Sequence, residues 1–121
     1  MLKTRTERNL NMKLVHQTAD DIVILSVSGK IDTNTSSEFE TEIQSVIDGG
    51  GKKILIDCTQ LDHISSAGLR VILLAAKKLK RSDGKIVLSS LKEHVKAIFE
   101  IAGFSDMLPI AATIDEGINN F

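Results

Sequence analysis

Residues 53–81 read KILIDCTQLDHISSAGLRVILLAAKKLKR, and the spacing of the apolar residues changes partway along. Lys53 to Cys58 is a short, nearly continuous apolar run, the pattern of a strand buried on both faces. From Ser66 to Arg81 the apolar residues recur at helical spacing instead. Leu69, Ile72, Leu73, Ala76 and Leu79 share one face at about 100° per residue, which is read as the core face. Lys77, Lys78, Lys80 and Arg81 gather in the last turns, the sign favoured at the negative end of a helix dipole. A buried strand, a short polar loop and a long helix are the first two-thirds of a βαβ unit, which points to parallel strands.

Toward the N-terminus, Met12 to His16 and Ile22 to Ser28 read as two strands joined by the polar turn Gln17 to Asp21. Gly29 is read as the end of the second. Thr35 to Asp48 has helical period, with Phe39, Ile43, Val46 and Ile47 on one face; Thr35 and Glu38 form a capping-box pattern. Gly49-Gly50-Gly51 stops that helix. Toward the C-terminus, Lys85 to Leu88 reads as a strand. Ser90 with Glu93 opens a helix bearing Leu91, Val95, Ile98 and Phe99, which Gly103 closes. Met107 to Ile110 suits an edge strand, where Pro109 is tolerated. Thr113 with Glu116 opens a short last helix carrying Ile114, Ile118 and Phe121.

The expected order is β-β-α-β-α-β-α-β-α: one α/β domain with a mixed, mainly parallel sheet of four to five strands, about four helices and a leading antiparallel hairpin. Residues 1–11 are read as a flexible N-terminal extension and 12–121 as the domain. A length of 121 residues with 42% apolar content suits one compact core.

Composition narrows the functional classes. A net charge of −1 argues against a general nucleic-acid binder, and 3% aromatic residues leave almost no base-stacking platform. Cys58 is the single cysteine, so no internal disulfide framework exists and a reducing compartment is expected. The apolar run from Leu69 to Ala76 is interrupted by Arg70 and is too short to span a bilayer. The N-terminus lacks the apolar core of a secretory signal. A cytoplasmic location with no membrane insertion is expected.

In an open α/β sheet, ligands and partners meet the loops at the carboxyl ends of the strands. Here those loops are Lys30 to Ser36 and Asp62 to Gly68, both rich in small hydroxyl residues and both feeding a helix. Ser65 or Ser66 suits the N-cap, where a serine oxygen accepts a backbone N–H. The same position also suits a phosphate, because unpaired N–H groups and the positive helix end favour negative charge. The residues alone leave both roles open.

A resemblance reaches further. Leu61 to Leu74, centred on Ile64-Ser65-Ser66-Ala67-Gly68-Leu69, resembles the phosphorylation segment of STAS-domain anti-sigma-factor antagonists. Gly29-Lys30-Ile31-Asp32 and Ile56-Asp57-Cys58-Thr59 resemble the family at fitting separations, from about Met12 onward. The resemblance implies partner switching. The unphosphorylated antagonist binds a serine kinase that is also an anti-sigma factor, of the ATP-binding histidine-kinase-like fold, and so releases the sigma factor. Phosphorylation rejects the antagonist, and a PP2C-type serine phosphatase resets it.

Matching through Gly68-Leu69 places the phosphoacceptor at Ser66. Ser65 stands where the family usually has Asp, and Ala67 where it usually has a second hydroxyl residue, so Ser65 is the rival acceptor. Asp32, with Asn34 and Thr35 beside it, is carried over as a partner contact rather than a catalyst. Ser65, Ala67 and Gly68 are expected to join them. On the helix, Arg70, Leu74, Lys77 and Arg81 form the stripe opposite the core face, an apolar anchor with a basic rim for an acidic partner groove. An ordinary solvated face is the plainer reading of that stripe.

The expected protein is therefore regulatory and not an enzyme, with no cofactor and no metal. The alternatives keep the fold: a STAS accessory subunit of a transporter complex, or a small-ligand or nucleotide-sensing module. A nucleophilic enzyme using Ser66 or Cys58 lacks an activating base. His16, His63 and His94 show no metal-ligand spacing. Gly49-Gly50-Gly51-Lys52 follows a helix and precedes a strand, the reverse of a phosphate loop. Asp57 and Asp62 are read as loop-orienting groups.

Overall fold

The computed structural model describes residues 4–8, 11–104 and 108–121. One six-stranded sheet runs β1-β2-β3-β4-β5-β6, every strand lying beside its neighbours in the chain. β1 (Thr4–Arg8), β2 (Met12–Ala19) and β3 (Ile22–Ile31) form an antiparallel meander. β3, β4 (Lys53–Ile64), β5 (Lys85–Ser89) and β6 (Ile110–Ala111) are parallel. The connections are α1 (Ser36–Asp48), α2 (Ser66–Lys80) and α3 (Glu93–Ile101), and α4 (Ile114–Ile118) follows the last strand. Thr4–Arg8, within the stretch read as an extension, thus adds an edge strand to the five expected from the sequence.

Right-handed crossovers between successive parallel strands place all three connecting helices on one face. The packing agrees. Phe39 and Ile43 of α1, Leu69 and Ile72 of α2, and Val95 and Phe99 of α3 share a core with Ile54, Ile56 and Cys58 of β4. Leu55 points the other way, joining Ile22, Val87 and Ala111 under α4. β4 is therefore buried on both faces along its first half, as its unbroken apolar run requires. α4 can lie close because Gly117 has no side chain: a Cβ there would come 2.7 Å from Leu55 Cδ1.

Several boundaries differ from expectation. The hairpin turn contracts to Asp20 and Asp21, with Asp20 at φ 55°, since β2 pairs as far as Ala19 against Ile22. Gly29 does not end β3. At φ 90° it carries a register shift and lets the strand bend past Asn11, whose carbonyl oxygen would lie 2.2 Å from a Cβ. β3 continues to Ile31, and β4, expected to end at Cys58, runs on to Ile64. The last strand is Ile110–Ala111, opening after Pro109, whose carbonyl accepts from the Leu88 amide at 2.9 Å. Met107, where that strand was expected to begin, lies outside the described residues.

The capping patterns divide. Thr113 caps α4 by accepting from the Glu116 amide at 3.1 Å, and Glu116 Oε2 accepts from the Ala112 amide. Ser90 does not cap α3. It takes φ 61° after the strand, and Lys92 occupies the N-cap. Thr35 is the N-cap of α1 by position, but its hydroxyl makes no cap bond.

Candidate functional site

The two hydroxyl-rich loops are fastened together at the ends of β3 and β4. Ile31 pairs with Ile64, and the next amide, Ser65 N–H, donates to the Ile31 carbonyl at 2.7 Å. The first loop is organised from within. Asp32 Oδ1 accepts from the amides of Asn34 (2.8 Å) and Thr35 (3.1 Å). Thr35 Oγ1 donates to the Lys30 carbonyl at 2.9 Å and accepts from the Asp32 amide at 2.9 Å. This is why Thr35 fails to cap α1: its hydroxyl already closes the turn and is fully buried. Asp32 is half-buried and Asn34 exposed, so these two form the surface of the loop that Thr35 braces from inside.

The second loop separates the two serines. Ser65 has extended backbone, φ −84° and ψ 170°, and its Oγ accepts from the Gly68 amide at 3.2 Å, which makes it the N-cap of α2. Ser66 is the first residue inside the helix and is exposed. Ala67 is half-buried and Gly68 buried. A Cβ on Gly68 would meet Ile31 Cγ2 at 2.6 Å and Ile64 Cγ1 at 2.8 Å, so glycine lets the start of α2 press onto the ends of both strands. The cap role left open between the serines thus belongs to Ser65, and the hydroxyl presented to solvent is that of Ser66.

Along α2, Arg70, Leu74, Lys77 and Arg81 are all exposed, Leu74 by 47%. The buried face is turned relative to the expected one. Leu69, Ile72 and Leu79 are buried, but Val71 and Ala75 join them while Leu73 and Ala76 are only half-buried. The cause is α1, which packs beside α2 and draws Val71 and Ala75 toward the space between the helices. An open groove of about 240 Å³ lies there, lined by Ser36, Ser37 and Glu40 of α1 and by Ala67, Arg70, Val71 and Leu74 of α2. It adjoins a larger one of about 600 Å³ that shares Glu40, Val71 and Leu74 and extends past Gln44, Asp48 and Lys78. Lys78 Nζ donates to Gln44 Oε1 at 2.8 Å across it. The sequence did not single out Ser37, Glu40 or Gln44. Each is one polar residue on a helix, Ser37 and Glu40 exposed and Gln44 half-buried, and only the pairing of α1 with α2 gives them a place.

The family model described as the STAS domain matches residues 13–117. A Bordetella bronchiseptica protein, BtrV, assigned as an anti-sigma factor antagonist, is 40% identical over 100 residues, covering 83% of this chain and 86% of its own. The chain belongs to the STAS-domain family of anti-sigma factor antagonists. A crystal structure of a Thermotoga maritima protein, likewise assigned as an anti-sigma factor antagonist, superposes with a TM-score of 0.83 at 24% identity, covering 87% of this chain and 91% of that one. The anti-sigma factor antagonist SpoIIAA in its unphosphorylated form gives a TM-score of 0.74 at 18% identity over 98% and 95% of the two chains. At those identities the likeness is one of fold.

The remaining titratable groups of this STAS domain sort by what surrounds them. Cys58 is fully buried, and burial first, then the neighbouring Asp57, pushes its thiol far above the ordinary range. A protonated, enclosed thiol is a packing residue. Asp57 Oδ2 accepts from Ser26 Oγ at 3.0 Å, while Oδ1 accepts from the Thr59 amide and hydroxyl. Asp62 is held below the usual carboxylate range by its hydrogen bond and ion pair with Lys92. Nε2–H of His94 donates to the Asp62 carbonyl at 2.6 Å. Lys92 and His94 therefore tie the start of α3 to the end of β4, a link that no sequence spacing revealed. Among the described residues, no group of three His, Cys, Asp or Glu side chains is placed to hold a metal ion. No helix among them is long and apolar enough to cross a membrane.

Proposed function

We propose that this STAS domain is a partner-switching antagonist whose state is set by phosphate on Ser66. In the unphosphorylated state it binds a serine kinase that doubles as an anti-sigma factor and displaces the factor's target. The kinase transfers the γ-phosphoryl group of ATP to Ser66: Oγ attacks phosphorus, ADP leaves, and the hydroxyl proton passes to a base of the kinase. A serine phosphatase of PP2C type hydrolyses the ester and restores the hydroxyl. The observation that carries this reading is the division of labour between the two serines: Ser65 is committed to capping α2, and Ser66 is presented to solvent beside it.

Chemistry explains why that position works as a switch. A phosphoserine adds about −1.5 to −2 charges. At the positive end of α2 that charge is tolerated by the domain itself, so its consequence falls on the docked partner. The docking surface is the Asp32–Asn34 loop, Ser65 to Gly68, and the α2 stripe of Arg70, Leu74, Lys77 and Arg81. Leu74 is the apolar anchor and the cations are the rim. SpoIIAA, which shares the fold, is solved in both unphosphorylated and phosphorylated forms.

The test is incubation with ATP and candidate kinases from the same cell, followed by peptide mass spectrometry. Phosphate on Ser66, its loss in S66A, and loss of kinase binding in S66D are expected. Stable association with a membrane transporter and no phosphorylation would overturn the proposal.

A further inference from the structure

Ser66 and Arg70 occupy consecutive turns of α2, and both are exposed. Side chains at this i, i+4 spacing are neighbours on a helix surface, with Cβ atoms about 5–6 Å apart. Arg70 makes no hydrogen bond or ion pair among the described residues. It also lines the groove between α1 and α2, where Glu40 is the facing carboxylate. Asp32, in the adjoining loop, has Oδ1 occupied by the Asn34 and Thr35 amides. Among the cations of α2, Arg70 alone lies about one turn from Ser66; Lys77 is about 16 Å from Ser66 along the axis.

We propose that Arg70 is the internal counter-ion of phosphorylated Ser66, so that modification both adds negative charge and withdraws a guanidinium from the docking groove. The proposal rests on Ser66 being the phosphoacceptor. Anion before cation along the helix is the favourable order for such a pair. A guanidinium presents its donors as a planar fork that grips phosphate through two parallel bonds, which an ammonium does not. The switch then acts at two places. The charge at the helix start repels an acidic partner surface, and the rim loses the cation one turn before Leu74 at the same moment.

The experiment installs phosphoserine at position 66 by genetic encoding, so that it depends on no kinase. The second ionisation of the phosphate is followed by 31P NMR at low salt in the native chain and in R70A and R70K. Arg70 Nε–H is followed by 15N NMR with and without the phosphate. Arg70 favours the dianion, so the native phosphate should ionise about half a pH unit lower than in R70A, a threefold change in proton affinity, with R70K between them. The Nε–H signal should shift on phosphorylation. R70A, which changes an exposed residue, should melt with the native chain. Equal phosphate ionisation in native and R70A chains, with an unmoved Nε–H, would overturn the proposal. Failure of every kinase to modify Ser66 would instead count against the partner-switching reading, leaving this measurement intact.

Discussion

Gly68 lies so close to Ile31 that a Cβ would come within 2.6 Å of the isoleucine Cγ2, and within 2.8 Å of Ile64 Cγ1 on the other side. Ile31 and Ile64 are the last residues of β3 and β4, both essentially without solvent exposure. The place where α2 starts is therefore set by contact with two buried branched side chains. Because Ser65 and Ser66 lie within three residues before this contact, the geometry that presents Ser66 depends on the absence of a single methyl group.

G68A is accordingly expected to destabilise the domain by about 1–3 kcal/mol, the usual cost of overpacking. Ala is otherwise a better helix former than Gly, by about 1 kcal/mol, so an exposed helical glycine would give the opposite sign. Urea denaturation decides between them. A more stable G68A would mean that α2 can lift off the strand ends without loss.

Ser65 and Ser66 are adjacent, yet their substitutions should separate cleanly. S65A removes the oxygen that accepts from the Gly68 amide and should cost about 1 kcal/mol. S66A removes a solvent-exposed hydroxyl and should change stability by less than about 0.5 kcal/mol. Phosphate incorporation should show the reverse pattern, retained in S65A and lost in S66A. Thermal melts and phosphopeptide mapping on the same two variants check both halves.

The architecture was legible because the sequence carries periodicity and punctuation: the unbroken run of β4, the helical stripes of α1 to α3, and the glycine stop after Asp48. What escaped was decided by particular contacts, near or distant in the chain, that periodicity does not encode. Gly29 looks like a strand terminator in isolation, but beside Asn11 it is a bulge that allows β3 to continue. Thr35 with Glu38 has the spacing of a capping box, yet the Thr35 hydroxyl is held by Lys30 and Asp32 across the turn. The core face of α2 is turned by about 60° from the one a helical wheel gives, because the wheel assumes one neighbour and α2 has two, the sheet and α1. As helix caps Ser65 and Ser66 could not be told apart from sequence, since either suits the position and only the observed hydrogen bond assigns it.

Cys58 gives a pH dependence with a definite sign. Its thiol is pushed up by burial and by Asp57, so the folded state holds the proton where the unfolded chain, near the ordinary value of 9.0, gives it up. The folded pKa is the higher one. The associated stability is therefore complete below pH 9 and declines as pH rises beyond it, by up to about 1.4 kcal/mol per pH unit. C58A should be less stable than the native chain at pH 7 because a cavity forms, and that gap should narrow between pH 9 and 10.5. Chemical denaturation at both ends of the range is the measurement. A constant gap would mean that the thiolate is accommodated in the fold. The same burial predicts that thiol reagents modify Cys58 at the rate of unfolding, not of encounter.

Leu74 offers the sharpest separation of fold from recognition. It is 47% exposed, standing between Arg70 and Lys77 on the face of α2 that continues from Ser66. Leu74→Asp replaces an exposed apolar side chain by a carboxylate at the edge of the groove shared with Glu40, so on the proposed docking surface it removes contact area and adds negative charge. Central apolar anchors at interfaces are worth about 2 kcal/mol or more when truncated, which corresponds to at least a thirtyfold loss of affinity for the proposed kinase partner. The stability cost should stay near 0.5 kcal/mol, since about half of the side chain already meets water. Calorimetric titration against the kinase, paired with a thermal melt of L74D alone, resolves the two effects. A native-like melt with native affinity would place the docking surface elsewhere, whereas a collapsed melt would show that Leu74 supports the packing of α1 against α2. Ser66 phosphorylation by excess kinase should persist in L74D at a reduced rate, because the variant weakens docking without altering the proposed phosphoacceptor hydroxyl.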